Sequence, residues 1–78
     1  MSASYAYKSG QAEVVCKTVP LSDGRYCGKF TSTCTTADGR REIHERTCPG
    51  WYHSLADALI CARAMAESLY PPTPPHET

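Results

Sequence analysis

The sequence predicts an α+β fold: an antiparallel three- to four-stranded meander sheet with one C-terminal helix packed on one face. Two observations carry this. Ser22-Asp23-Gly24-Arg25 and Ala37-Asp38-Gly39-Arg40 are near-copies, each joining two runs that alternate apolar and polar residues. Asp-Gly supplies the left-handed backbone positions that a tight hairpin needs. Behind them, Ser54 to Tyr70 repeats apolar residues at helical spacing and is stopped by Pro71-Pro72.

Taken in order, Ser2 to Lys8 carries Tyr5 and Tyr7 at strand spacing before a Ser9-Gly10 turn signal, and reads as a short edge strand, with a loose arm as the alternative. Gln11 to Val19 is rich in β-branched residues. It sends Val14, Cys16 and Thr18 to one face and Glu13, Val15, Lys17 and Val19 to the other. Pro20 cannot donate to a ladder and ends the run. Arg25 to Thr35 is the expected central strand. Tyr26, Phe30 and Cys34 share a face with Gly28 between them, and Cys27, Lys29, Thr31 and Thr33 form the opposite, polar face. The first turn leaves Cys16 opposite either Phe30 or Thr31.

Arg40 to Thr47 is almost wholly polar, with Ile43 its only aliphatic residue, which suits an edge. Its register depends on the second turn. A two-residue turn at Asp38-Gly39 puts Ile43 on the Phe30 face, whereas a three-residue turn sends Glu42, His44 and Arg46 there. Burial of the one aliphatic side chain favours the former.

The helix begins at Ser54, a natural N-cap, with Asp57 three residues on. Leu55, Ala58, Leu59, Ala62, Met65, Ala66 and Leu69 fall on one face, and the alanines permit close approach to the sheet. Fully burying Leu59 would contribute roughly 1.5–3 kcal/mol, which makes Leu59→Ala the most damaging helix change expected. Ile60 lies off this stripe beside Ala56, Ala64 and Glu67, so Ile60 and Ala64 form a candidate dimer patch. Residues 1–70 read as one domain, and 71–78, with four prolines, as a disordered tail.

A chain of 78 residues has room for one thin core, burying about 60% of its unfolded surface. One helix covers one sheet face, so the other must stay wet or meet a partner. Eight basic and eight acidic residues cancel, which argues against direct nucleic-acid binding, where a basic excess is usual. Met1 to Lys8 has neither the charged start nor the apolar stretch of a signal peptide, and no run is long enough to span a membrane. The expectation is a cytosolic protein with reduced thiols and no membrane partner. Its five cysteines, Cys16, Cys27, Cys34, Cys48 and Cys61, cannot all pair internally. They read chiefly as small core hydrophobes, with a disulfide or a metal as alternatives.

Chemistry-bearing patterns are few. Cys34, His44, Cys48 and His53 are close in sequence, but no Cys-x-x-Cys knuckle brings two thiolates together. Cys48 precedes the helix and lies near His53, yet no nucleophile signature surrounds it. No glycine-rich phosphate loop is present. The expectation is a non-enzyme without cofactor or metal. Trp51, Tyr52, Tyr26 and Phe30 could stack bases, although Trp51 reads more simply as a staple between sheet edge and helix start.

This layout resembles that of the small phage- or mobile-element-encoded anti-CRISPR proteins that inhibit type I systems, type I-C included. The resemblance covers Tyr5 to Tyr70 and rests on size, the lack of a targeting segment, a short antiparallel sheet carrying one helix, and missing catalytic signatures. It implies a protein-binding inhibitor that occupies a surface of the type I crRNA-guided surveillance complex, Cascade, and blocks target-DNA binding. These inhibitors share no sequence signature, so no residue role is carried over. Some members are acidic DNA mimics; this neutral chain departs from them, which points to patch complementarity. Arg and aromatic residues dominate interface energies. The expected contacts are therefore Lys17, Lys29, Arg40, Arg41, Glu42, Glu45 and Arg46 on the helix-free face and loops, with Trp51 and Tyr52 as anchors. The alternatives are a nucleic-acid module using the sheet aromatics and a structural dimerisation module.

Overall fold

Backbone pairing follows the chain in order. In the computed structural model, which describes residues 4–72, one sheet is built from β1 (Ser4–Ser9), β2 (Ala12–Pro20), β3 (Tyr26–Thr35) and β4 (Arg41–Thr47), followed by the helix α1 (Leu55–Leu69). All neighbours are antiparallel and the strand order is β1-β2-β3-β4. This is the expected α+β meander with four strands. The expected strand start at Ser2 and positions 73–78 of the proline-rich tail lie outside the described residues. Pro71 does not hang free: its carbonyl accepts a hydrogen bond from the Ser9 hydroxyl at 2.6 Å.

Both Asp-Gly turns are three-residue loops. The Leu21 N–H donates to the Arg25 carbonyl, and the Thr36 N–H to the Arg40 carbonyl, each at 2.7 Å. In the first loop Asp23 and Gly24 are both left-handed, with φ of 74° and 73°. That register sets Cys16 opposite Phe30. In the second loop Gly39 alone is left-handed (φ 86°), and its N–H closes on the Thr36 carbonyl at 3.0 Å. The Thr36 hydroxyl bonds the Asp38 carboxylate and accepts from the Arg40 N–H at 3.2 Å. Thr36 thus belongs to the turn, and its hydroxyl holds the Asp38 carboxyl below its ordinary range.

The extra loop residue overturns the expected register of β4. Phe30 pairs with Arg46, Ser32 with His44 and Cys34 with Glu42, while Ile43 pairs with Thr33 on the opposite face and stays 63% exposed. A shift of one residue moves every side chain of a strand across the sheet. The hydrogen bonds of Thr36, Asp38, Gly39 and Arg40 hold the three-residue turn, and that turn leaves the one isoleucine outside the core.

Helix α1 starts where the sequence places it. The Ser54 hydroxyl accepts from the Asp57 N–H at 3.3 Å, satisfying one of the donors that a helix start leaves open. Ala58, Ala62 and Ala66 are fully buried and form the contact stripe. A Cβ built on Gly28 would lie 2.5 Å from the Ala58 carbonyl oxygen and 2.9 Å from Ala62 Cβ. Gly28 is therefore the seat of the helix. Seating the helix on its smallest residues leaves Leu59 only half-buried and Leu69 49% exposed, so the energetic weight expected on Leu59 falls instead on the alanine stripe. Ile60 is 64% exposed, as its position off the stripe predicts.

The core gathers Val14, Cys16, Phe30, Cys48, Ala62 and Ala66, flanked by Tyr5, Tyr7, Leu59, Cys61, Met65 and Tyr70. Phe30 meets Tyr70 edge-on at 6.1 Å, and the Tyr7 hydroxyl donates to the Tyr70 carbonyl at 2.7 Å. All five cysteines are free thiols, with Cys16, Cys27 and Cys48 buried. Burial, then the neighbouring Cys61, pushes the Cys48 thiol up to about 11. Helix α1 packs across β1, β2 and β3 but not across β4.

Candidate functional site

Strand parity fixes what the helix-free face presents. Tyr7 bonds Tyr70, and Arg63 stacks over Tyr5 at 4.2 Å, so β1 turns Ser4, Ala6 and Lys8 outward. The register extends this set to Glu13, Val15, Lys17 and Val19 of β2, Cys27, Lys29, Thr31 and Thr33 of β3, and Arg41, Ile43, Glu45 and Thr47 of β4. Cationic side chains on this face are Lys8, Lys17, Lys29 and Arg41; carboxylates are Glu13 and Glu45. A chain neutral overall thus carries a basic lamina.

Within that lamina Lys17 sits directly opposite Lys29, an arrangement that disfavours the sheet. Lys29 is relieved by Glu45, 3.4 Å away, and Glu45 also accepts from the Thr31 hydroxyl at 3.4 Å. Lys17 has no carboxylate partner among the described residues. A shallow depression of about 260 Å³ lies beside this row, over Ala6, Lys8, Glu13 and Val15.

One corner of the lamina carries an aromatic. After β4 the Cys48 N–H bonds the Gly28 carbonyl at 2.8 Å, and Tyr52 exchanges two 2.7 Å bonds with Tyr26. Pro49, Gly50 and Trp51 therefore bulge against Cys27 alone, with Gly50 left-handed at φ 90°. Trp51 emerges 48% exposed. The Arg25 guanidinium lies 4.8 Å above its ring, and His53 meets it edge-on at 5.0 Å. Arg25 Nε has no hydrogen-bond partner among the described residues. The staple expected of Trp51 is supplied by Tyr52, which bridges Tyr26 of β3; the neighbouring Cys61 thiol of the helix raises the Tyr52 hydroxyl above its ordinary range.

The structure brings Lys17, Lys29, Arg41 and Glu45 together on the helix-free face. It separates the other expected contacts. Glu42 and Arg46 lie on the helix side of β4, which α1 leaves uncovered; Arg40 sits in the second turn, 3.6 Å from Asp38; Tyr52 is committed to the core side. Phe30 is buried beneath the helix with 1% exposure, so the sheet cannot offer it to a base. Ile60 and Ala64 are exposed on the outer side of α1. The contacts expected from the sequence did not include Lys8, Glu13, Arg25 and His53. For Arg25 the signal was its parity with Cys27 and Lys29; for His53 there was none, because the bulge that turns it beside Trp51 is a tertiary feature.

Among the described residues, no three His, Cys, Asp or Glu side chains converge in a way that could hold a metal ion, and no helix is long and apolar enough to cross a membrane. Comparison with protein-family models, curated proteins and solved structures finds no match to this chain.

Proposed function

We propose that this protein is a non-enzymatic binding protein that presents the helix-free face of its sheet to a macromolecular partner. In the reading its layout favours, it occupies a surface of a type I crRNA-guided surveillance complex and blocks target-DNA binding. The observation that supports this is the basic lamina with its half-exposed Trp51 corner on an otherwise neutral chain. Four cations against two carboxylates fit an acidic or mixed protein surface. An exposed aromatic under an arginine is the kind of side chain that anchors interfaces.

Co-elution of the purified chain with type I complexes, followed by a target-DNA binding assay, tests the proposal. Stable co-elution and loss of DNA binding are expected, with Lys17→Glu weakening both. Failure to co-elute with complexes of several type I subtypes removes the inhibitor reading. A direct shift of nucleic acid that collapses with added salt would replace it with phosphate binding.

A further inference from the structure

The free edge of β4 is fully exposed along its length, and α1 stops short of it. Backbone geometry fixes which groups it offers. Cys48 N–H bonds the Gly28 carbonyl and Thr36 N–H the Arg40 carbonyl at the two ends of the β3–β4 ladder. Antiparallel pairs alternate between bonded and non-bonded positions. Glu42, His44 and Arg46 therefore aim their backbone groups at β3, and Arg41, Ile43, Glu45 and Thr47 aim theirs at the open edge.

Charged edges normally discourage strand addition, but the charges of this one match their own reversal. About Ile43, the neighbours one step away are Glu42 and His44, and those two steps away are Arg41 and Glu45. We propose that β4 pairs antiparallel with β4 of a second copy of this chain, about a two-fold axis at Ile43. Ile43 then meets the partner's Ile43, Arg41 meets the partner's Glu45, and Glu42 meets the partner's His44. The only aliphatic residue of the strand, 63% exposed in the single chain, becomes covered at the axis. The outermost pair sets Arg40 against the partner's Arg46, but Arg40 already has Asp38 at 3.6 Å.

Other registers are poorer. Side-chain facing permits only two-residue steps, and a step either way puts Ile43 opposite Glu45 or Arg41. The other edge, β1, has Lys8 as its only charged residue and no such complementarity. Pairing about this axis keeps both helices on one side and joins the two basic laminae into one eight-stranded surface. The inference stands apart from the functional proposal, since its readout involves no partner protein.

Sedimentation of the full chain from micromolar to millimolar concentration tests it. A weak, reversible dimer is expected, because a strand edge buries less than a standard interface. Arg41→Glu alone sets two Glu–Glu pairs across the axis, and Glu45→Lys alone sets two cationic pairs. Each should raise the dissociation constant about tenfold or more, roughly 1.4 kcal/mol. Mixing the two variants in equal amounts restores opposite charges at both pairs and should restore the dimer. Ile43→Pro removes one outward N–H, leaves the β3 ladder intact and should give a monomer. A wild type monomeric throughout, a mixture no tighter than either variant, or a folded Ile43→Pro chain that still dimerises would overturn the proposal. Should the proline variant fail to fold, the mixing experiment decides.

Discussion

Gly28→Ala is the smallest change that tests how the helix sits. The added Cβ would stand 2.5 Å from the Ala58 carbonyl oxygen, 2.9 Å from Ala62 Cβ and 3.2 Å from the Ala62 nitrogen. Carbon contacts are comfortable at about 3.5–4.0 Å, so α1 must lift by roughly 1 Å. Two of the three neighbours are helix backbone and cannot rotate away. A gap of about 0.5–1 Å forfeits a quarter to a half of each dispersion contact, and the loss runs along the Ala58, Ala62 and Ala66 stripe. Overpacking of this kind costs about 1–3 kcal/mol, and backbone clashes argue for the upper end. Alanine also stiffens the unfolded chain, a gain for the fold of about 0.4–1 kcal/mol. The net expectation is a loss of about 2 kcal/mol. For a domain of this size that lowers the thermal midpoint by about 8–16 °C. Urea unfolding followed by far-ultraviolet circular dichroism, with the slope against denaturant unchanged, reads it out. An alanine variant as stable as the wild type, or more so, would mean that the helix does not rest on Gly28.

Two further outcomes follow from burial. Cys48 is pushed up to about 11 and Tyr7 up to about 12, in each case chiefly by removal from water. A group held protonated more firmly in the folded state contributes stability that is complete below its unfolded pKa and fades as pH rises through the folded one. Stability should therefore be flat near neutrality and fall from about pH 9 to pH 12, the unfolded range of thiols and phenols onward. Tyr7→Phe should flatten the upper part of that slope, and an unchanged slope in this variant would refute the assignment. The thiols should also divide by access: a maleimide reagent should label the partly exposed Cys34 and Cys61 in the native protein. Cys16, Cys27 and Cys48 should react only with unfolding, and mass spectrometry showing prompt labelling of Cys16 would contradict the core described here.

Local signals in the chain were a reliable guide wherever the structure itself is local. Ser54 caps α1 because its hydroxyl reaches an N–H three residues away, and the alternation in β2 and β3 assigns Val14, Cys16 and Phe30 to the core without reference to anything distant. The parity of β4 was not legible in the same way. It turns on whether Thr36 ends a strand or opens a turn, and hydrogen bonds from its hydroxyl to Asp38 and Arg40 decide that. The candidate surface shares this division. Lys17 and Lys29 could be placed by periodicity, whereas Glu42, Arg46 and Trp51 could not, because a loop length and a bulge stand between them and their faces.

The sequence by itself determined the strands, the helix, its N-cap and which of its faces is small enough to lie flat, since these depend on residues within a few positions of one another. Tertiary structure alone decided where that helix rests, that β4 is left bare on both sides, and that a neutral chain displays a basic lamina. Those outcomes depend on Gly28 receiving Ala58 and Ala62 across the sheet and on one added turn residue that reverses every side chain after it, and neither effect has a signature in local composition.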